Sequence, residues 1–84
     1  MQTSEEFAVL ACLTPDERKA AEVLAEAARL AEELKAPLSV VHLYPAAWSG
    51  PLKAHPHAWH LKSDEPAEAV RRFAARRRIT HILS

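Results

Sequence analysis

Residues 7–44 read FAVLACLTPDERKAAEVLAEAARLAEELKAPLSVVHLY, and the succession of patterns inside them decides the fold class. Phe7 to Leu13 is an unbroken apolar run of strand length without polar alternation, as a strand covered by helices on both faces requires. In the following TPDER, Thr14 can cap a helix, Pro15 takes the first helical position where its missing N–H is harmless, and Glu17 completes a capping box. From Ala20 onward, Val23, Leu24, Ala27, Leu30, Ala31 and Leu34 keep one helical face. Glu22, Glu26, Arg29 and Glu33 take the other, until Pro37 forbids continuation. Such a stripe is a core-facing surface rather than a cofactor box. Leu38 to Tyr44 is β-branched and apolar and follows a minimal turn, so it reads as a second strand. Strand, helix and strand at this spacing form one right-handed βαβ unit.

Working outward, residues 45–57 hold Pro45, Pro51, Pro56 and the only glycine, Gly50, and read as a loop. AWHLK, residues 58–62, alternates Trp59 and Leu61 with His60 and Lys62, which predicts an edge strand with one wet face. Trp59 reads as core and Trp48 as a loop anchor. SDEPAEAVRRFAARRR opens on acids and Pro66, carries Ala67, Val70, Phe73 and Ala74 on one helical face, and closes on arginines, so both ends suit the helix dipole. ITHIL, residues 79–83, is a fourth strand. Alternating strands and helices give an α/β sheet.

A chain of 84 residues forms one domain, here 1–84, and buries only about 60–65% of its unfolded surface, which leaves a marginal core. Lys plus Arg equals Asp plus Glu at 11 each, which argues against a general nucleic-acid binder, although residues 1–42 are net acidic and 43–84 net basic. Cys12 is the only cysteine and sits in the most apolar stretch, so a buried thiol in a reducing cytoplasm is expected. No signal peptide and no membrane span are legible.

The stretch VLACLTPDERKAAEVLAEAARLAEELKAPLSVVHLY resembles the first strand, first helix and second strand of the universal stress protein family, and DEPAEAVRRFAARRRITHILS resembles its later helix and fourth strand. A first strand running into Cys-hydrophobic-Thr-Pro, together with ITHI, is similar to the stress-protein domain of Kdp potassium-sensor histidine kinases. The resemblance implies a Rossmann-like sandwich of the adenine-nucleotide alpha-hydrolase type, C-terminally truncated, with a mainly parallel sheet in the order 3-2-1-4 and two main helices. It also implies that the usual helix between the second and third strands is absent or reduced to a turn, and that the fifth strand is lacking.

Nucleotide-binding members place an Asp after the first strand and a glycine-rich phosphate loop after the fourth. Here Thr14 stands at the first position, and the chain reaches Ser84 one residue before the first of those glycines. Bare N–H groups approach phosphate closely only where glycine removes the side chain, so weak ATP binding or none is expected. Were ATP or cyclic di-AMP bound, the resemblance would put Leu13, Thr14, Val41 and Leu43 around the base. In the family the fifth strand commonly supplies the dimer contact. Without it, Ile79, Thr80, His81, Ile82 and Leu83 become an edge expected to pair with a second copy or a partner's strand.

Two further constellations compete with that reading. His55, His57 and His60, with His42 or His81, could supply imidazoles to Zn, Ni or Cu, but no CxxC or HExxH accompanies them and no metal is assigned. Arg71, Arg72, Arg76, Arg77 and Arg78 could hold phosphates, with Trp48 or Trp59 stacking on a base, yet the helix dipole and pairing with acids of the first helix explain the cluster as well. Catalysis is not expected: none of Ser39, Ser49, Ser63 and Ser84 has a sharp glycine-bearing turn suited to a nucleophile, and Cys12, though able to neighbour His42 on an adjacent strand, lacks an electropositive setting. The expected function is a non-catalytic regulatory or interaction module in stress or potassium signalling; the alternatives are a nucleotide sensor and, third, a histidine-based metal module.

Overall fold

A computed structural model describes residues 7–52 and 57–84. The apolar run forms β1 (Val9–Leu13), buried at every position. It is followed by α1 (Glu17–Leu34), β2 (Leu38–Tyr44), β3 (Trp59–Lys62), α2 (Pro66–Arg76) and β4 (His81–Leu83). The four strands make one sheet in the order β3-β2-β1-β4, with every pair parallel. Val9 lies opposite Leu38 on one side and His81 on the other, so β1 is flanked on both sides.

Alternation along β1 divides the core between two faces. Val9, Ala11 and Leu13 pack with Ala27 and Ala31 of α1, where small helical residues let the helix approach closely. Leu10 and Cys12 turn the other way and pack with Val41 and Ala74, joined by Val70 and Phe73 of α2. The helices therefore cover opposite faces, and the architecture is an α/β three-layer sandwich.

The helix ends differ from the sequence expectation. Asp16, not Thr14, caps α1: its carboxylate accepts from the backbone N–H groups of Arg18 at 3.1 Å and Lys19 at 3.2 Å, which leaves Pro15 in the preceding turn rather than at the first helical position. The helix stops before Pro37 can act. Lys35 adopts a left-handed backbone, φ 53°, and the Ala36 N–H donates to the Ala31 carbonyl at 2.9 Å. The stop after α2 is built alike, with Arg78 at φ 56° and the Ile79 N–H on the Ala74 carbonyl at 2.9 Å. With its one glycine in the loop after β2, the chain uses cationic residues at both stops, where their charge suits the exposed carbonyls.

Three strand boundaries also move. β1 begins at Val9, because Phe7 is exposed and meets the His81 ring edge-on at a centroid distance of 5.8 Å. β3 begins at Trp59 rather than residue 58. β4 begins at His81, because Ile79 is drawn into the α2-side core and Thr80 closes a clamp on Ala8. The Ala8 N–H donates to Thr80 Oγ1 at 2.8 Å, and the Thr80 N–H donates to the Ala8 carbonyl at 2.9 Å.

Candidate functional site

Beyond the carboxyl ends of the strands lie two adjoining crevices of about 350 and 280 Å³. Parallel sheets bind ligands there, at the point where connections leave to opposite faces. In this sheet that point lies between β1 and β4. Thr14 and Leu43 line both crevices; Tyr44, Ser63 and Asp64 face the larger one, and Cys12, Lys19 and Ser84 the smaller. Of the four residues expected around a base, Thr14 is exposed and Leu43 half-buried, whereas Leu13 and Val41 are buried in the core on opposite faces of the sheet. The crevices offer hydroxyls and one ammonium, that of Lys19. The Asp64 carboxylate is turned to the Ala46 N–H at 3.1 Å. Gly50, the only glycine, lies in the loop after β2, so the strand ends present no glycine cradle for a triphosphate.

Cys12 and His42 do not meet. The β1–β2 register sets Cys12 opposite Val41 and Leu13 opposite His42, so the thiol faces α2 and the imidazole the other side. Burial pushes the Cys12 thiol up to about 11, the reverse of what a nucleophile needs. Below pH 9 the thiol is neutral in folded and unfolded chains alike. Between the unfolded value of 9.0 and about 11, only the unfolded chain loses the proton, so stability falls as pH rises through that window. Denaturant titrations should show a loss of about 1.4 kcal/mol per pH unit there, and Cys12→Ala should remove that part of the slope. An unchanged slope in Cys12→Ala means the thiol is wet.

The histidines part company. His55 lies outside the described residues. His57 is exposed with φ 64°, in a turn before β3, and His81 stands at the far edge of the sheet. His60 does approach His42, with ring centroids 5.3 Å apart, and its Nε2 is buried without a hydrogen-bond partner. Among the described residues no three metal-binding side chains converge. The expected wet face of β3 is therefore wrong at His60. Tyr44 meets His60 edge-on at 5.9 Å, and Trp48 packs on Tyr44 at 5.4 Å. Trp48 is thus the anchor of the loop, its indole N–H reaching the Pro51 carbonyl at 3.4 Å. Trp59, expected in the core, is instead 43% exposed, because it lies on the outermost strand.

The arginines are also sorted by the fold. Arg71 and Arg72 share Glu68 of their own helix, at 2.6 and 3.0 Å, rather than acids of α1, which lies across the sheet. The hydrogen bond from Arg71 holds the Glu68 carboxyl below its ordinary range. Arg77 instead lays its guanidinium over the Trp59 ring, 3.9 Å from the centroid. Arg72, Arg76, Arg77, Trp59 and Phe73 line a groove of about 430 Å³ between β3 and α2. Local periodicity could not reveal this groove, since Trp59 and Arg77 belong to different elements and meet only through the fold.

At the opposite edge, β4 pairs among the described residues with β1 alone. Of the five residues expected to form that edge, Ile79 is in the core, Thr80 is spent on Ala8, and His81 and Leu83 are half-buried. Ile82 is 48% exposed. The His81 N–H donates to the Ala8 carbonyl at 3.1 Å, so the alternation of a parallel ladder turns the Ile82 N–H and carbonyl away from β1.

Comparison of the chain with protein-family models, curated proteins and solved structures finds no match in any of the three. No helix among the described residues is long and apolar enough to cross a membrane.

Proposed function

We propose that the chain is a non-catalytic interaction module of universal stress protein type, acting in stress or potassium signalling, which pairs the outer edge of β4 with β4 of a second copy. One observation carries the reading: among the described residues β4 ends the sheet, with a half-exposed isoleucine whose backbone donor and acceptor point outward. Neither lysine nor proline blunts this edge, and a two-fold antiparallel pair would join the two sheets and cover both Ile82 side chains. The protonated, buried Cys12 supports the non-catalytic part of the reading.

A strand of three residues limits the strength of such a pair. Each new hydrogen bond contributes about 0.5–1.5 kcal/mol net and each covered isoleucine about 1.5–3 kcal/mol. Set against the roughly 4–15 kcal/mol lost in association, two such bonds and two isoleucines leave at most about 5 kcal/mol, a dissociation constant of a few tenths of a millimolar at the tightest.

Light scattering between about 0.1 and 5 mM is expected to show the mass rising toward the dimer. Ile82→Pro should stay monomeric, since it removes the outward N–H while leaving the bonds to β1, and the restriction on His81 before proline favours the extended backbone already present. A wild-type chain that remains monomeric at about 5 mM, well above that dissociation constant, would sink the proposal.

A further inference from the structure

The edge of the sheet away from β4 carries a second surface, independent of the first. We propose that the groove between β3 and α2 binds an acidic polypeptide segment in extended conformation, which adds to β3 as a further strand. Three observations converge on it.

The first is the open backbone of β3. Among the described residues β3 pairs only with β2, and the Ser63 N–H donates to the Tyr44 carbonyl at 2.9 Å. Alternation in a parallel ladder then points the N–H and carbonyl groups of His60 and Lys62 outward. The second is the groove beside that edge, about 430 Å³, with Trp59, Leu61 and Phe73 among the residues lining it. A strand laid along β3 directs every other side chain toward the α2 side of the sheet, where this groove lies.

Charge is the third. Arg72, Arg76 and Arg77 line the groove and no acidic residue does. Arg72 is partly neutralised by Glu68, whereas Arg76 and Arg77 have no acidic partner among the described residues. The Arg77 guanidinium is held flat on the Trp59 ring, 3.9 Å from its centroid, with Phe73 5.1 Å away. Stacking fixes its plane and leaves its edge N–H groups free to donate in pairs to a carboxylate.

Guanidinium groups also suit phosphates. The open edge decides between them: alternating donors and acceptors on His60 and Lys62 are matched by a polypeptide backbone, not by a phosphate.

The test uses the full chain and a fluorescein-labelled octapeptide of alternating glutamate and valine, followed by fluorescence anisotropy. Binding is expected at low salt and should weaken at least about fivefold between roughly 50 and 300 mM salt, as screening shortens the reach of the arginines. Arg76→Glu should weaken it about tenfold, and so should N-methylation of alternate amides in the peptide, which removes the strand donors. Arg76 is exposed and without an ion-pair partner among the described residues, so its replacement leaves the fold intact, which circular dichroism checks. A lysine–valine octapeptide should not bind, and Ile82→Pro should bind the glutamate peptide like wild type. The inference is overturned if the glutamate peptide shows no binding, if the N-methylated peptide binds equally well, if tripolyphosphate displaces the peptide at equal charge concentration, or if Ile82→Pro abolishes binding. The first outcome removes the site, the middle two reduce it to a general anion patch, and the last moves the peptide to β4.

Discussion

Val41→Asp is expected to leave the chain unfolded at neutral pH, without a cooperative melt and with most helical circular dichroism lost. Val41 is 0% exposed at the centre of β2, between Cys12 of β1 and Trp59 of β3, and it faces the core under α2. The buried residues packed there are Leu10, Cys12 and Ala74, none of which can neutralise a carboxylate. An unpaired ion in such a place costs several kcal/mol even after relaxation. The whole stability of a chain this size is about 4–13 kcal/mol, so that cost is of the same order. Burial favours the neutral carboxylic acid. The variant's folded Asp would therefore titrate above the unfolded value of about 3.9, with stability highest below that value and lost as pH rises. Partial refolding near pH 4 should accompany the loss at pH 7. A variant that melts cooperatively at pH 7, within about 5 °C of wild type, would show that this face is not dry.

Leu10→Ala should lower stability by about 2–5 kcal/mol, read from the urea midpoint at constant slope. Leu10 is 0% exposed and is the largest of the fully buried side chains. It sits on the strand that both neighbours flank, so a cavity there cannot collapse by moving an edge. For a domain of 60–100 residues each kcal/mol displaces the melting temperature by roughly 4–8 °C, which places the drop on the order of 8–40 °C. Ile82→Ala, at a half-exposed position on the edge, should lower stability by less than about 1 kcal/mol at concentrations where the chain is monomeric. If the two substitutions cost the same, β1 is not the centre of the core.

The contrast between these positions is legible in the sequence. Val9 to Leu13 is apolar at every residue, and only a strand buried on both faces has use for that pattern, so its central place followed. The α1 stripe, the short connection through Pro37 and the acidic-to-arginine polarity of α2 were equally local signals. Together they placed two helices and four strands in the observed order along the chain. Residue type also marked the strand ends, where Thr14 and Leu43 do line the crevices, but it could not tell them from Leu13 and Val41, which the core takes.

Where one-dimensional reasoning failed, the deciding partner lay far along the chain or in backbone geometry. Asp16 took the cap from Thr14 because its carboxylate reaches two N–H groups at once. Lys35 and Arg78 ended the helices through left-handed backbone that their side chains do not advertise. Alternation in β3 separated Trp59 and Leu61 from His60 and Lys62, yet which pair would be covered depended on other elements. Tyr44 and His42 pack on the His60 ring, while Trp59 at the outer edge keeps Arg77 for its cover. The sequence by itself determined the elements, their order along the chain and the buried faces of β1 and the two helices, because burial period and chain breaks are properties of neighbouring residues. Only the tertiary structure decided which polar and aromatic side chains meet at the two edges of the sheet, because contact there is set by how far each covering helix or loop extends across it.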